Sequence, residues 1–283
     1  MSRATGPIVD ATTLLFVPAT RPERFGKALA SGAGAIVIDL EDAVAPNERE
    51  AARDALAEGV AAMPVAERAR VLVRINGVGT RWHTAEAVAA ARLVADGIAG
   101  VMLPKADSAA DIDALVATLG RRAIVVPLVE SAAGLDAVDA LAAAPGVVRL
   151  AFGHLDFMAD LGMACVDDEP ELVPARFALV RASRRAGIVT PVDGVTADAS
   201  DAARIARDAT RSLRMGFGGK LCIHPNQVAP VREAFRPTPA QLDWSQRVVA
   251  QADAGQALFM LDGRMVDAPV IALARHMLAR AEG

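Results

Sequence analysis

Ile124-Val125-Val126-Pro127-Leu128-Val129-Glu130-Ser131 and, further on, Phe152-Gly153-His154-Leu155-Asp156 decide the fold. Each reads as a short apolar strand that ends on a carboxylate as the chain turns into a loop. Two acids at the same ends of neighbouring strands suit a small hard cation. Mg²⁺ is usually held by one or two carboxylates, with water and substrate completing an octahedron.

Working outward, strand-like runs alternate with helix-like runs, the pattern of a parallel α/β fold. Strands are expected at Thr13–Val17, Ala35–Leu40, Val71–Ile75, Gly100–Leu103, Ile124–Val129, Val147–Phe152, Thr190–Asp193 and Lys220–Ile223. Helices are expected at Pro22–Ser31, from Asn47 to Glu58 with Asn47 as N-cap, and at Ala85–Asp96. Others follow from Ser108 to Leu119 and at Ala132–Ala143, Val173–Ala186 and Ala202–Met215. Periodicity alone leaves a doubly wound open sheet as the rival. The polar residues decide for a (β/α)8 TIM barrel. Asp39, Glu41, Arg74, Lys105, Glu130, Asp156, Asp193 and His224 all fall at or just past the C-terminal ends of strands, the rim where such barrels carry their sites.

Residues 1–235 are thus read as the barrel and 236–283 as a C-terminal extension. The extension has a linker at Pro237 and Pro239, a helix Thr238–Ala254, a hairpin Ala257–Val266 turning at Asp262-Gly263, and a helix Pro269–Arg280. A barrel does not need this segment, so it is read as a lid or an oligomer arm.

Composition narrows the function class. Hydrophobic residues make up 53% of the 283, yet no apolar run reaches the roughly 18 residues of a membrane span. Met1–Asp10 lacks the features of a signal peptide, and a cytoplasmic location is expected. Cys165 and Cys222 match no metal spacing or disulfide framework. A net charge of -4 without basic blocks argues against nucleic acid as the partner.

Several ordered motifs then carry a resemblance. They are Leu15-Phe16-Val17-Pro18, Asp39-Leu40-Glu41-Asp42-Ala43-Val44, Leu103-Pro104-Lys105, Phe152-Gly153 with Asp156 and Asp160-Leu161-Gly162, and Gly219-Lys220-Leu221-Cys222-Ile223-His224-Pro225. Together they resemble the HpcH/HpaI aldolase and citrate lyase superfamily, on the branch of citrate lyase β-subunit-like and acyl-CoA lyase proteins. The resemblance runs from about Leu14 to Ala279. It implies a trimeric or hexameric TIM barrel that binds Mg²⁺ and cleaves, reversibly, a carbon–carbon bond of a 3-hydroxy-carboxyacyl-CoA. Substrates of the malyl-CoA, citramalyl-CoA or citryl-CoA type would give acetyl-CoA and an oxo acid. It further implies Glu130 and Asp156 as metal ligands, Arg74 as the clamp on the substrate carboxylate, and Asp267 as an acid/base group donated by a neighbouring subunit. Arg21, Arg24 and Lys27 would meet the phosphates of coenzyme A. The chain departs from the family pattern at Ala19, at Leu155 (where Glu often precedes the metal Asp) and over Gly77–His83.

Each residue also has a plainer reading. Glu130 and Asp156 suit helix N-caps, Arg74 an ion pair with Glu41, and Asp267 a cap for the helix at Pro269. Glu41 and Asp42 suit either water-orienting partners of a metal or structural partners of Arg74 and Lys105. Arg21, Arg24 and Lys27 suit a solvated helix face. Asp193, Lys220 and His224 suit substrate contacts or rim scaffolding, and Trp82 and Met102 suit packing. Three functions stay open at this level: the acyl-CoA lyase, with an acyl-carrier protein as a possible thioester partner; a CoA-independent divalent-metal pyruvate aldolase; and a non-catalytic metabolite-binding subunit.

Overall fold

A computed structural model describes residues 6–281. Among them, eight parallel strands close into a barrel in chain order. They are β1 (Thr13–Pro18), β2 (Ala35–Asp39), β3 (Val71–Arg74), β4 (Gly100–Leu103), β5 (Ile124–Val129), β6 (Ala151–Phe152), β7 (Val192–Asp193) and β8 (Gly219–Cys222). Closure is direct: Thr13 of β1 pairs with Lys220 of β8, and Leu14 with Leu221. The open-sheet rival is thereby removed.

Side chains alternate across each strand, so one register sets the whole interior. Leu14, Val37, Leu72, Met102, Val126, Leu128, Ala151, Val192 and Leu221 form the buried core inside the barrel. Two residues further along the same faces lie Phe16, Asp39, Arg74, Glu130 and Gly153, at the C-terminal rim. The opposite parity puts Asp193 and Lys220 outside the barrel wall, under the surrounding helices.

The N-terminal end is closed by Arg149, which is 1% exposed. Its guanidinium donates to the carbonyl oxygens of Ile8, Ala11 and Thr190. Burial lowers its pKa to about 10.

Five expected elements are corrected, the first being the helix Ala132–Ala143, which divides at Ala137 into Ala132–Asp136 and Val138–Ala143. The sixth strand shrinks to Ala151–Phe152, because Arg149 aims inward at three carbonyls and Val147 keeps only an isolated bridge to Val125. The seventh begins at Val192, since Pro191 has no N–H for the ladder. Asn47 caps nothing: the helix runs Arg49–Ala61 after Glu48, without a side-chain cap. The first helix divides into a 3₁₀ turn, Pro22–Arg24, and an α-helix, Phe25–Ala30. An unanticipated helix, His154–Leu161, follows β6 directly and stops at Gly162, whose φ of 63° is left-handed. Ser108 does cap its helix, accepting from the N–H of Ala110.

The chain divides into two compact units, Met1–Ala234 and Phe235–Gly283. In the second, Thr238 and Gln241 form a capping box at the start of the helix Pro239–Asp253. Strands β9 (Phe259–Leu261) and β10 (Arg264–Val266) pair antiparallel. Their turn, Asp262-Gly263, has φ of 51° and 74°, the signs a type I′ hairpin needs. The helix Ala268–Ala281 follows. Val248, Leu261, Val266 and Ala274 make this unit's small core. No helix among the described residues is long and apolar enough to cross a membrane.

Candidate active site

A cavity of about 340 Å³ opens at the C-terminal rim of the barrel. Asp39, Asp42, Arg74, Glu130 and Asp156 form its polar side, while Phe16, Leu128, Leu155, Val195, Leu221 and Ile223 form its apolar side. Three of the residues singled out from sequence, Arg74, Glu130 and Asp156, therefore share one cavity.

Arg74 is buried and organises the acidic side. Its Nε and Nη2 reach the two oxygens of Asp39 at 2.7 and 2.6 Å, a bidentate fork. Its Nη1 donates to Asp42 at 3.0 Å and lies 3.0 Å from Glu41 Oε2. That last contact is a charge contact only, since Glu41 Oε2 has no hydrogen-bond partner. The guanidinium carbon also sits 4.7 Å from the centroid of the Phe16 ring. Burial opposes the charge on Arg74, but the Asp39 hydrogen bonds and the surrounding acids outweigh it and hold the group protonated. Asp39 is the partner that sequence reasoning left unassigned. The shared parity of Val37 and Asp39 with Leu72 and Arg74 was the available signal.

Glu130 is 3% exposed. Its Oε1 accepts the main-chain N–H of Lys105 at 2.8 Å. On the other side stands Gly153, where an added Cβ would lie 2.5 Å from Glu130 Oε2, so only glycine leaves the carboxylate its space. Burial, then the charges of Glu41 and Asp156, push the Glu130 pKa up to about 8, against the Lys105 N–H and Arg74. Glu130 is not a helix cap, because Ser131 fills that role by accepting from Gly134. Asp156 lies in the first turn of the helix His154–Leu161, not on a loop.

A buried carboxylate short of positive charge, beside a second carboxylate on one cavity wall, fits a hard divalent cation. No cluster of three or more His, Cys, Asp or Glu able to hold a metal occurs among the described residues. A two-carboxylate site that leaves positions for water and substrate agrees with both observations.

Lys105 and Glu41 adjoin this wall through Glu130 and Arg74. Lys105 Nζ lies 3.1 Å from Glu41 Oε1. Burial raises the Glu41 pKa, and Arg74 and Lys105 offset it only in part. Lys105 has a φ of 48°, a left-handed backbone for a residue with a Cβ, which costs on the order of 1–3 kcal/mol.

Behind the barrel wall lies a second polar layer. Arg176 Nε reaches both oxygens of Asp193 at 3.1 Å, and its Nη2 reaches Glu169. Lys220 Nζ donates to the carbonyl of Gly194 at 2.6 Å. His154, which also lines the cavity, links the two layers: it stands 3.7 Å from Glu169, and burial lowers its pKa to about 4. Asp193 and Lys220 thus brace the wall and do not face the cavity. His224 is scaffolding too: its Nδ1 accepts from the N–H of Asn226 at the start of a 3₁₀ turn.

Arg21, Arg24 and Lys27 are exposed on the segment after β1. Trp82 lies between Arg49 and Arg81, whose guanidinium carbons are 4.3 and 4.7 Å from its ring centroid. In the C-terminal unit, Asp267 follows β10 and accepts loosely, at 3.4 Å, from the N–H of Val270. The capping contact is present there.

The family model described as HpcH/HpaI aldolase/citrate lyase matches residues 12–225. The citrate lyase subunit beta-like protein of Mycobacterium tuberculosis is 36% identical over 284 residues, spanning 99% of this chain and 97% of its own. The (3S)-malyl-CoA thioesterase of Cereibacter sphaeroides is 32% identical over 274 residues, spanning 95% and 94%. The crystal structure of protein CitE from Mycobacterium tuberculosis, in complex with magnesium, acetoacetate and coenzyme A, matches with a TM-score of 0.83 and 34% identity over 100% of both chains. By its barrel, by the family match over most of that barrel, and by relatives similar from end to end, the chain belongs to the HpcH/HpaI aldolase/citrate lyase family.

Proposed function

We propose that this protein is a Mg²⁺-dependent carbon–carbon lyase that splits a 3-hydroxy-carboxyacyl-CoA into acetyl-CoA and an oxo acid, or joins the two. The observation that carries the reading is Glu130: a buried carboxylate, fixed by one N–H and short of positive charge, on the same cavity wall as Asp156. Glu130 and Asp156 would hold the cation. When bound, the ion supplies Lewis acidity and a template for the substrate's oxygens. Arg74 sets the charge of the wall and offers the substrate carboxylate the one Nη2 N–H that Asp39 does not use. Glu41 keeps Lys105 and Arg74 in register, and Asp267, by resemblance, handles the proton at the α-carbon of acetyl-CoA. Arg21, Arg24 and Lys27 are proposed for the coenzyme A phosphates, and the protein is proposed to act as a homo-oligomer.

The cavity also favours some oxo acids over others. Among the described residues Arg74 is the only Lys or Arg that lines it, three carboxylates already engage that group, and the adjoining Lys105 is paired with Glu41. Opposite lie Leu155, Val195, Leu221 and Ile223. A second substrate carboxylate would meet aliphatic carbon with no partner, at a penalty of several kcal/mol. Glyoxylate and pyruvate therefore suit the site, and oxaloacetate suits it poorly.

The test is a panel of malyl-CoA, citramalyl-CoA and citryl-CoA with product identification. Acetyl-CoA from either of the first two, at kcat/KM at least tenfold above citryl-CoA, is the expected result. Free CoA with an intact hydroxy acid would instead mark thioester hydrolysis, the activity named for the Cereibacter sphaeroides relative. No turnover of any of them would overturn the reading.

A further inference from the structure

We propose that Lys105 is a positioning residue with two separate handles, its main-chain N–H for Glu130 and its ammonium for Glu41, which lock the acids of two different strands into one unit. The turn after β4 is stitched to the end of β5 at three successive residues. Lys105 N–H donates to Glu130 at 2.8 Å, Ala106 N–H to the carbonyl of Leu128 at 3.3 Å, and Ser131 Oγ to Asp107. Pro104 fixes the approach, and the φ of 48° at Lys105 turns successive N–H groups toward β5. A non-glycine residue is held in that region only where its surroundings over-determine it. Here the side chain is part of the reason, because Nζ crosses to Glu41 Oε1 at 3.1 Å while the backbone holds Glu130. Glycine would relieve the backbone but would leave Glu41 facing Arg74 alone.

Three variants separate the handles. K105G keeps the left-handed turn and the N–H while losing the ammonium. K105V keeps a side chain whose β-branching resists φ above zero. K105M keeps the stem and loses the charge. Mn²⁺ affinity, read by electron paramagnetic resonance, is expected to fall at least tenfold in K105V and to stay within threefold of the wild type in K105G. Thioester cleavage is expected to lose at least tenfold in kcat/KM in both K105G and K105M, with partial recovery in K105R. The Mn²⁺ arm rests on Glu130 holding a divalent cation, so a further arm is run without metal. In the metal-free full-length protein, E130A is expected to speed amide hydrogen exchange at Lys105 at least tenfold while distant barrel amides keep their protection.

Unchanged exchange at Lys105 in E130A overturns the backbone handle whatever the metal result, and it decides the matter should K105V fail to fold. Wild-type Mn²⁺ affinity in a folded K105V overturns it as well. Wild-type kcat/KM in K105M overturns the side-chain handle. Absence of Mn²⁺ binding in the wild type, with the exchange effect intact, counts against the metal reading and leaves the backbone handle standing.

Discussion

Arg74 shows how much one residue does at this site. Its fork closes on Asp39, and its remaining amino group faces Asp42 and Glu41. Lysine could match the charge but not the planar, bidentate geometry. Arg74→Lys should therefore lower kcat/KM by about 100-fold and lower folding stability by about 3 kcal/mol, since it leaves the buried Asp39 poorly paired. Urea unfolding followed by circular dichroism, beside steady-state kinetics, checks both. A stability loss with intact kinetics would make Arg74 purely structural. At this scale the sequence was informative where a charged residue ended an apolar run, as at Arg74, Glu130 and Asp156. It placed Lys105 at the rim but was silent on its backbone, because a φ above zero at a residue with a Cβ leaves no mark in composition or periodicity.

At the scale of elements, the wall that carries the site is braced from outside. Asp193 is fully buried, and burial works against its charge. Arg176, Lys220, Ser212 and the Gly194 N–H overcome that and bring its pKa down to about 2. The folded state thus binds this proton more weakly than the unfolded chain does. The stabilisation is fully present above the ordinary aspartate range near pH 4, and it is lost as pH falls from there through about 2. It amounts to roughly 2–3 kcal/mol at most. Asp193→Asn should destabilise the protein at pH 7 by about 3 kcal/mol, by leaving the buried Arg176 with Glu169 alone, and should flatten the dependence between pH 4 and 2. Denaturation midpoints at several pH values test this; an unchanged acid limb in the variant would assign the effect elsewhere.

The elements least legible in the sequence lie beside this brace. The run Val147–Phe152 has the composition of a strand, but Arg149 within it serves three carbonyls at the barrel floor, so only its last two residues pair regularly. The helix His154–Leu161 is eight residues long and follows the strand without a turn signal, with Gly153 as a cap that makes no side-chain bond. Periodicity over so short a stretch does not separate a helix from a loop. Asp156 lies at the rim, as the sequence suggests, but in a helix and not on a loop.

For the whole molecule, alternation of strand and helix could not tell a closed barrel from an open sheet. The placement of acids and Arg74 at one set of strand ends could, and the β1–β8 pairing agrees. The C-terminal unit has a capped helix, a tight hairpin and its own small core, all signalled by local chemistry. Around its hairpin Leu258, Met260 and Met265 are 66%, 64% and 63% exposed. If Asp267 serves the site of a second copy, Asp267→Asn and Arg74→Lys proteins, each depleted in activity, should regain activity when co-refolded as mixed oligomers. Asp267→Asn alone should lower kcat with little change in Mn²⁺ affinity. No recovery in verified mixed oligomers would confine Asp267 to its own chain or to its capping role.

The most direct test of the central claim is metal dependence in one titration. Protein stripped with EDTA is given malyl-CoA or citramalyl-CoA, Mg²⁺ is added back stepwise, and acetyl-CoA release is followed for the wild type and for Glu130→Gln. No release is expected without metal, with saturable recovery in the wild type and a loss of about 1,000-fold or more in kcat/KM in the variant. Full activity in EDTA, or a Glu130→Gln protein that keeps wild-type turnover, would contradict the claim.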